Sequence, residues 1–124
     1  MRLKNAINWF EIPVSNYERA IDFYEVVMDV QLKREKMGDI DLAIFPADEE
    51  GIAGALIKAD FQKPDQKGCL VYLNAEGMLD EVMKRAMQKG GDVYMEKTGI
   101  GENGFIAHIG DSEGNKIALH SMTE

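Results

Sequence analysis

The chain has 124 residues, enough for one compact domain with a real core and too few for two ordinary ones. An apolar share of 45% and a charged share of 29% are those of a folded globular protein and exclude a disordered chain. Fourteen basic against twenty-two acidic residues give a net charge of −8, and with no basic stripe to offset it a nucleic-acid partner is excluded.

No apolar run approaches the ~20 residues of a membrane-spanning helix, and no signal-peptide pattern opens the chain. Cys69 is the only cysteine, so no internal disulfide can form and a reducing, cytoplasmic setting is expected. The first element reads as a strand from about Ala6 to Val14, with Phe10, Ile12 and Val14 on one face and Trp9 and Glu11 on the other. Ser15-Asn16-Tyr17-Glu18 fits a capping box, Ser15 as the cap and Glu18 reaching back. Tyr17, Ala20, Ile21, Tyr24, Val27 and Met28 then form an apolar stripe at the helical period. Strands follow at Val30 to Glu35, Leu42 to Phe45 and Ile52 to Ile57, with turns at Gly38-Asp39 and Asp48-Glu49-Glu50-Gly51.

Residues 60–68, "DFQKPDQKG", read as a linker. The order then restarts with an apolar strand, Cys69 to Leu73. A second helix carries Leu79, Val82, Met83, Ala86 and Met87 on one stripe and Asp80 and Glu81 in its first turn. Gly90-Gly91 stops it in the left-handed way. Strands at Val93 to Lys97, Phe105 to Ile109 and Lys116 to Ser121 close the chain, the last two joined by a turn at Asp111-Ser112-Glu113-Gly114. The pattern is strand-helix-strand-strand-strand, twice, at a spacing of about 60 residues. It predicts an α+β fold of two tandem βαβββ modules in one domain over 1–124, the first at about 5–59 and the second at about 69–122. One helix covers one face of each module's strands, and the other face is left for the second module, a partner chain or a ligand.

Together with that order, "INWFEIPVSNYERAIDFYEVV" and "GGDVYMEKTGIGENGFIAHIGDSEGNKIALHSM" resemble the vicinal oxygen chelate superfamily, which includes glyoxalase I, extradiol dioxygenases and bleomycin-resistance proteins. The resemblance implies an open, U-shaped β-sheet groove, homodimers, and commonly one divalent metal held by His or Glu from the first and last strands of each module. Carried across, the four ligand positions fall on Trp9, on or beside Ala55, near Cys69 and on Ala118. Catalytic divalent sites take about three hard or imidazole ligands from the protein. Trp and Ala have no donor to offer and one thiol cannot hold the ion. The resemblance therefore implies a member without the usual metal site and with no cofactor.

The candidate ligand-contacting residues are Trp9, Glu11, Ala55, Cys69, Ala118 and His120. Trp9 is either an aromatic wall or packing; Glu11 is either an edge charge or a carboxylate aimed into the groove. Cys69 reads as a small apolar side chain, and His108 and His120 as proton carriers or as solvated, hydrogen-bonded histidines. Met83 and Met87 read as core. If the strand phases hold, Trp9, Glu11, Ala118 and His120 face the concavity while Phe10, Ile12, Ile117 and Leu119 pack under the helices. Ala55 and Ala118 would then leave open volume. The leading expectation is a homodimeric protein that binds a small, partly apolar molecule in a metal-free groove. The alternatives are a metal-dependent lyase, isomerase or dioxygenase recruiting Glu11, His108 and His120, or an acid–base enzyme using Glu11 and His120.

Overall fold

The computed structural model describes residues 5–124. The first module runs β1 (Glu11–Pro13), α1 (Tyr17–Met28), β2 (Lys33–Met37), β3 (Ile40–Ile44) and β4 (Ala55–Lys58). The second runs β5 (Tyr72–Asn74), α2 (Leu79–Gln88), β6 (Asp92–Gly99), β7 (Phe105–Gly110) and β8 (Lys116–Ser121), with a 3₁₀ turn at Gly101–Asn103. Each module makes an open four-stranded sheet of the same plan, β1-β4-β3-β2 and β5-β8-β7-β6. The first strand of each is parallel to the last, and the other pairings are antiparallel. The fold is α+β with two βαβββ modules, as the doubled element order predicts.

One continuous core serves both modules. Ile12, Ala43 and Leu56 from the first sheet and Leu73, Ala107, Ile109, Ile117 and Leu119 from the second meet Ala20, Phe23, Tyr24 and Val27 of α1 and Leu79, Val82 and Ala86 of α2. Strand alternation sends every second residue to the opposite face. There Leu42, Ala55 and Ile57 form a separate buried cluster flanked by Ile40 and Ile44. Met83 packs on the core, but Met87 is exposed, because it lies about 100° around α2 from Ala86 and turns to solvent. Gly90 takes a φ of 87° after α2, the left-handed stop the sequence implies.

The start of α1 differs from the expected capping box. Asn16, not Ser15, is the N-cap, its side chain accepting from the Arg19 amide. Glu18 does not reach back; it makes a two-pronged pair with Arg34 at 2.6 and 2.8 Å. Its place at the helix start is taken by Glu113, nearly a whole chain away on the β7–β8 turn. Glu113 accepts from the Ser15 and Asn16 amides at 2.9 and 2.7 Å, from Arg19 Nε at 2.7 Å and from Ser112 Oγ at 3.0 Å. The nearby Asp111 accepts from the amides of Glu113 and Asn115 and from the Tyr24 hydroxyl, the last at 2.6 Å. Burial and the Asp111 charge both push the Tyr24 hydroxyl well above its ordinary value, so it stays protonated and donates.

The first strands are shorter than the apolar patterns suggest. β1 was expected from Ala6 and β5 from Cys69, yet the ladders begin at Glu11 and Tyr72. Each of these strands has a sheet partner on one side only, and the residues before them pass beyond the start of that ladder. β6 is longer than expected because two register shifts let it follow β7 along its length. In the expected linker, Ala59 bridges to Gln62 and the Asp65 amide donates to Asn115 Oδ1.

Burial pushes the Glu113 carboxyl up, but the bonds from Arg19, from the Asn16 and Ser15 amides and from Ser112 outweigh it and hold the group below its ordinary value of 4.5. A carboxylate held low stabilises the fold fully above its unfolded value and loses that contribution as pH falls through the folded one. Glu113→Gln should therefore flatten the loss of stability below about pH 4.3, read from urea midpoints across pH. At neutral pH, Glu113→Ala should cost about 2 kcal/mol, because the part-buried Ser15 and Asn16 amides and the Arg19 guanidinium lose their acceptor. Glu18→Ala, at an exposed pair, should leave the midpoint almost unchanged.

Candidate functional site

On the second sheet, the face turned away from the helices carries Tyr72, Ala118 and His108 in one row across β5, β8 and β7. Asn74, His120 and Ile106 form the next row. Two strand spacings separate β5 from β7, about 9.6 Å. The Tyr72 and His108 rings are only 6.0 Å apart, edge to face, so both lean inward over Ala118. Their polar tips, Tyr72 Oη and His108 Nε2, stand 3.5 Å apart, a long and weak contact. Burial and, secondarily, the Lys116 charge lower the His108 pKa, which leaves the ring neutral near pH 7.

The open volume expected over Ala118 and Ala55 is absent. Both alanines are 0% exposed. Ala118 lies under the two rings, and Ala55 sits between Glu11 and Ile44 in the register of the first sheet, within the Leu42–Ile57 cluster. The side-chain phases themselves follow the expected alternation. Phe10, Ile12, Ile117 and Leu119 join the helix-side core, and Glu11, Ala118 and His120 turn to the other face.

Trp9 and Glu11 meet, the indole N–H donating to the carboxylate at 3.2 Å, and both are exposed. His120 Nε2 lies 2.7 Å from the Asn103 carbonyl, which can only accept, so Nε2 carries the proton and Nδ1 is the acceptor of the neutral ring. Glu11, His108 and His120 do not assemble as metal ligands: among the described residues no three His, Cys, Asp or Glu side chains converge. Trp9, Ala55, Cys69 and Ala118 offer a single thiol between them, and that donor set does not fit a divalent ion.

A cleft of about 680 Å³ lies between the modules. Its walls include Ile7, Phe10, Met28, Val30 and Phe45 from the first module and the whole run Cys69–Asn74 from the second. The volume is that of a small-molecule site, and the lining is predominantly apolar. Phe10 reaches it only because residue 54 is glycine; a methyl on Gly54 would overlap the Phe10 ring. Phe10 and Phe45 pack at 5.5 Å, tilted, and Phe45 stands edge-on to Tyr24. Of the expected contact residues only Cys69 lines this cleft, and it is exposed. The sequence carries Phe10 and Phe45 as ordinary strand apolars, and nothing in their local pattern signals a wall shared with another module.

With no open volume over Ala118, an Ala118→Trp substitution puts its indole where the methyl is fully buried. The indole must displace Tyr72 and His108, and overpacking of this kind costs about 1–3 kcal/mol, visible as a lowered melting temperature. Lys116→Ala should raise the His108 pKa toward 6.5, read by NMR titration of the ring protons.

The sequence profile of the Glyoxalase/Bleomycin resistance protein/Dioxygenase superfamily matches residues 6–119. No curated protein matches the chain. Solved structures do. A glyoxylase/bleomycin resistance protein/dioxygenase domain from Frankia sp. EAN1pec superposes with a TM-score of 0.73 at 15% identity, covering 94% of this chain and 97% of that one. A superfamily member from Sphaerobacter thermophilus gives 0.70 at 18% identity, with 94% and 97% covered. TnmS3, an antibiotic binding protein from Streptomyces sp. CB03234, gives 0.66 at 20% identity, with 98% of each chain covered. At these identities the structural likeness speaks for the fold, and the profile for the lineage. The chain therefore belongs to the glyoxalase/bleomycin resistance protein/dioxygenase superfamily.

Proposed function

We propose that this superfamily member binds a small, partly apolar molecule in the cleft between its modules, without a divalent ion at the family positions, and acts as a cytoplasmic homodimer. The observation that carries the reading is the cleft itself: about 680 Å³, walled by Phe10, Phe45, Met28 and Val30, with polar groups confined to one side. Apolar space with few polar anchors is the usual make-up of a small-molecule site. The donor-poor family positions support a binding role over metal-assisted chemistry. A fold neighbour described as an antibiotic binding protein is consistent with such a use of the scaffold. Among the described residues no helix is long and apolar enough to cross a membrane.

The neutral dye N-phenyl-1-naphthylamine, which brightens in apolar sites, tests the cleft. It should bind with saturable fluorescence, and Val30→Trp, which fills the cleft, should weaken binding at least tenfold with the melting temperature nearly kept. Dye binding that ignores Val30→Trp would sink the assignment. Sedimentation equilibrium at micromolar concentration should give twice the 13.9 kDa chain mass, and a monomer would remove the dimer from the reading.

A further inference from the structure

The second module contributes six consecutive residues, Cys69–Asn74, to the cleft wall. Side chains alternate between the faces of a strand, so a run without gaps means that β5 is seen edge-on. The hydrogen bonds say which main-chain groups that edge carries. Val71 C=O accepts from the Ala118 amide, and the Ala75 amide donates to His120 C=O, both at 2.9 Å. In a parallel ladder alternate residues face the partner strand, so 71, 73 and 75 bond to β8. Leu70, Tyr72 and Asn74 turn their N–H and C=O outward, and these groups find no partner among the described residues. The opposite edge is different. There Glu11 and Pro13 point outward; Pro13 has no N–H, and its C=O already accepts from Asn115 Nδ2 at 2.7 Å.

The geometry points to a peptide-like ligand: a small apolar molecule with an acylated amino-acid amide unit, such as a capped peptide, that pairs the N–H and C=O of one extended residue with the outward N–H and C=O of Tyr72. This rests on the cleft being the ligand site, and adds to it the chemical class. Main-chain groups beside apolar walls gain from a matched partner once a ligand excludes water there. Both groups of Tyr72 point the same way, so one extended acyl-amide unit satisfies both, as in strand addition to a sheet edge. A cleft of this size admits a molecule of one or two such units, not a folded domain. The apolar ends of the ligand then lie along Phe10, Phe45 and Val30.

Displacement of N-phenyl-1-naphthylamine by acetyl-phenylalanyl-leucine amide tests this against the depsipeptide in which the central N–H is replaced by an ester oxygen. The amide should displace the dye at about tenfold lower concentration, since the ester leaves the Tyr72 C=O unpaired. Tyr72→Pro removes the outward N–H and spares the β8 ladder. It should weaken the amide peptide about tenfold more than it weakens the dye. Equal displacement by amide and ester, or no displacement by the amide, overturns the ligand class while the cleft stands on the dye and Val30→Trp. Should Tyr72→Pro lose the dye as well, the amide-to-ester ratio on the native chain decides.

Discussion

The buried carboxylate of Glu113 is the contact on which this molecule is organised. A helix begins with amides that have no partner inside the helix, and α1 meets that need with an acid from the far end of the chain. A negative group at a helix start is favoured by the helix dipole as well as by the hydrogen bonds. Because the acid sits on a rigid turn held by Asp111, capping α1 also fixes where the second sheet stands relative to the first. Tyr24 adds a second tie from the middle of α1 to Asp111, and Asn115 a third to the main chain of Pro13. With two modules joined in this way, the helices share one core and the free edges of β1 and β5 are brought to the same region of the molecule.

From that placement the candidate site follows. The helix-free faces of the sheets are covered by this chain's own side chains. Isoleucines and Leu42 fill one, and the Tyr72–His108 pair roofs the other. Space remains along the β5 edge, where Gly54 lets the Phe10 ring lie flat and the end of α1 supplies Met28 and Val30.

Much of the fold was legible because it is local. The β8 strand spans Lys116–Ser121 as read, the helix stripes bury Ala20, Ile21, Tyr24, Val82 and Ala86, and Gly90 and Gly114 take the positive φ their turns require. What was misread depends on contacts across the chain. Ser15 and Glu18 have the letters of a capping box, but an acid some 98 residues on competes successfully for the same amides. Nothing near residue 113 announces this, since two acids in a turn look like any solvated loop. Ala118 looked like vacated space because the strand pattern gives its face but not the tilt of Tyr72 and His108 above it. The cleft was illegible for the same reason: its walls are apolar residues of ordinary pattern, and only the docking of the modules sets them opposite one another.

The sheet edges carry one more consequence. β2 forms one outer edge and is exposed throughout, with Lys33, Arg34, Glu35 and Lys36 in sequence. β1 presents Pro13, and β6, the outer strand of the second sheet, is broken by two register shifts. Charge, proline and irregularity are the means by which sheets discourage the recruitment of foreign strands. β5, with Tyr-Leu-Asn in regular register, has none of them. Among the four edges only its shortness, three residues, guards it against pairing with a foreign strand, so an occupant of the cleft would also shield the chain from misassembly.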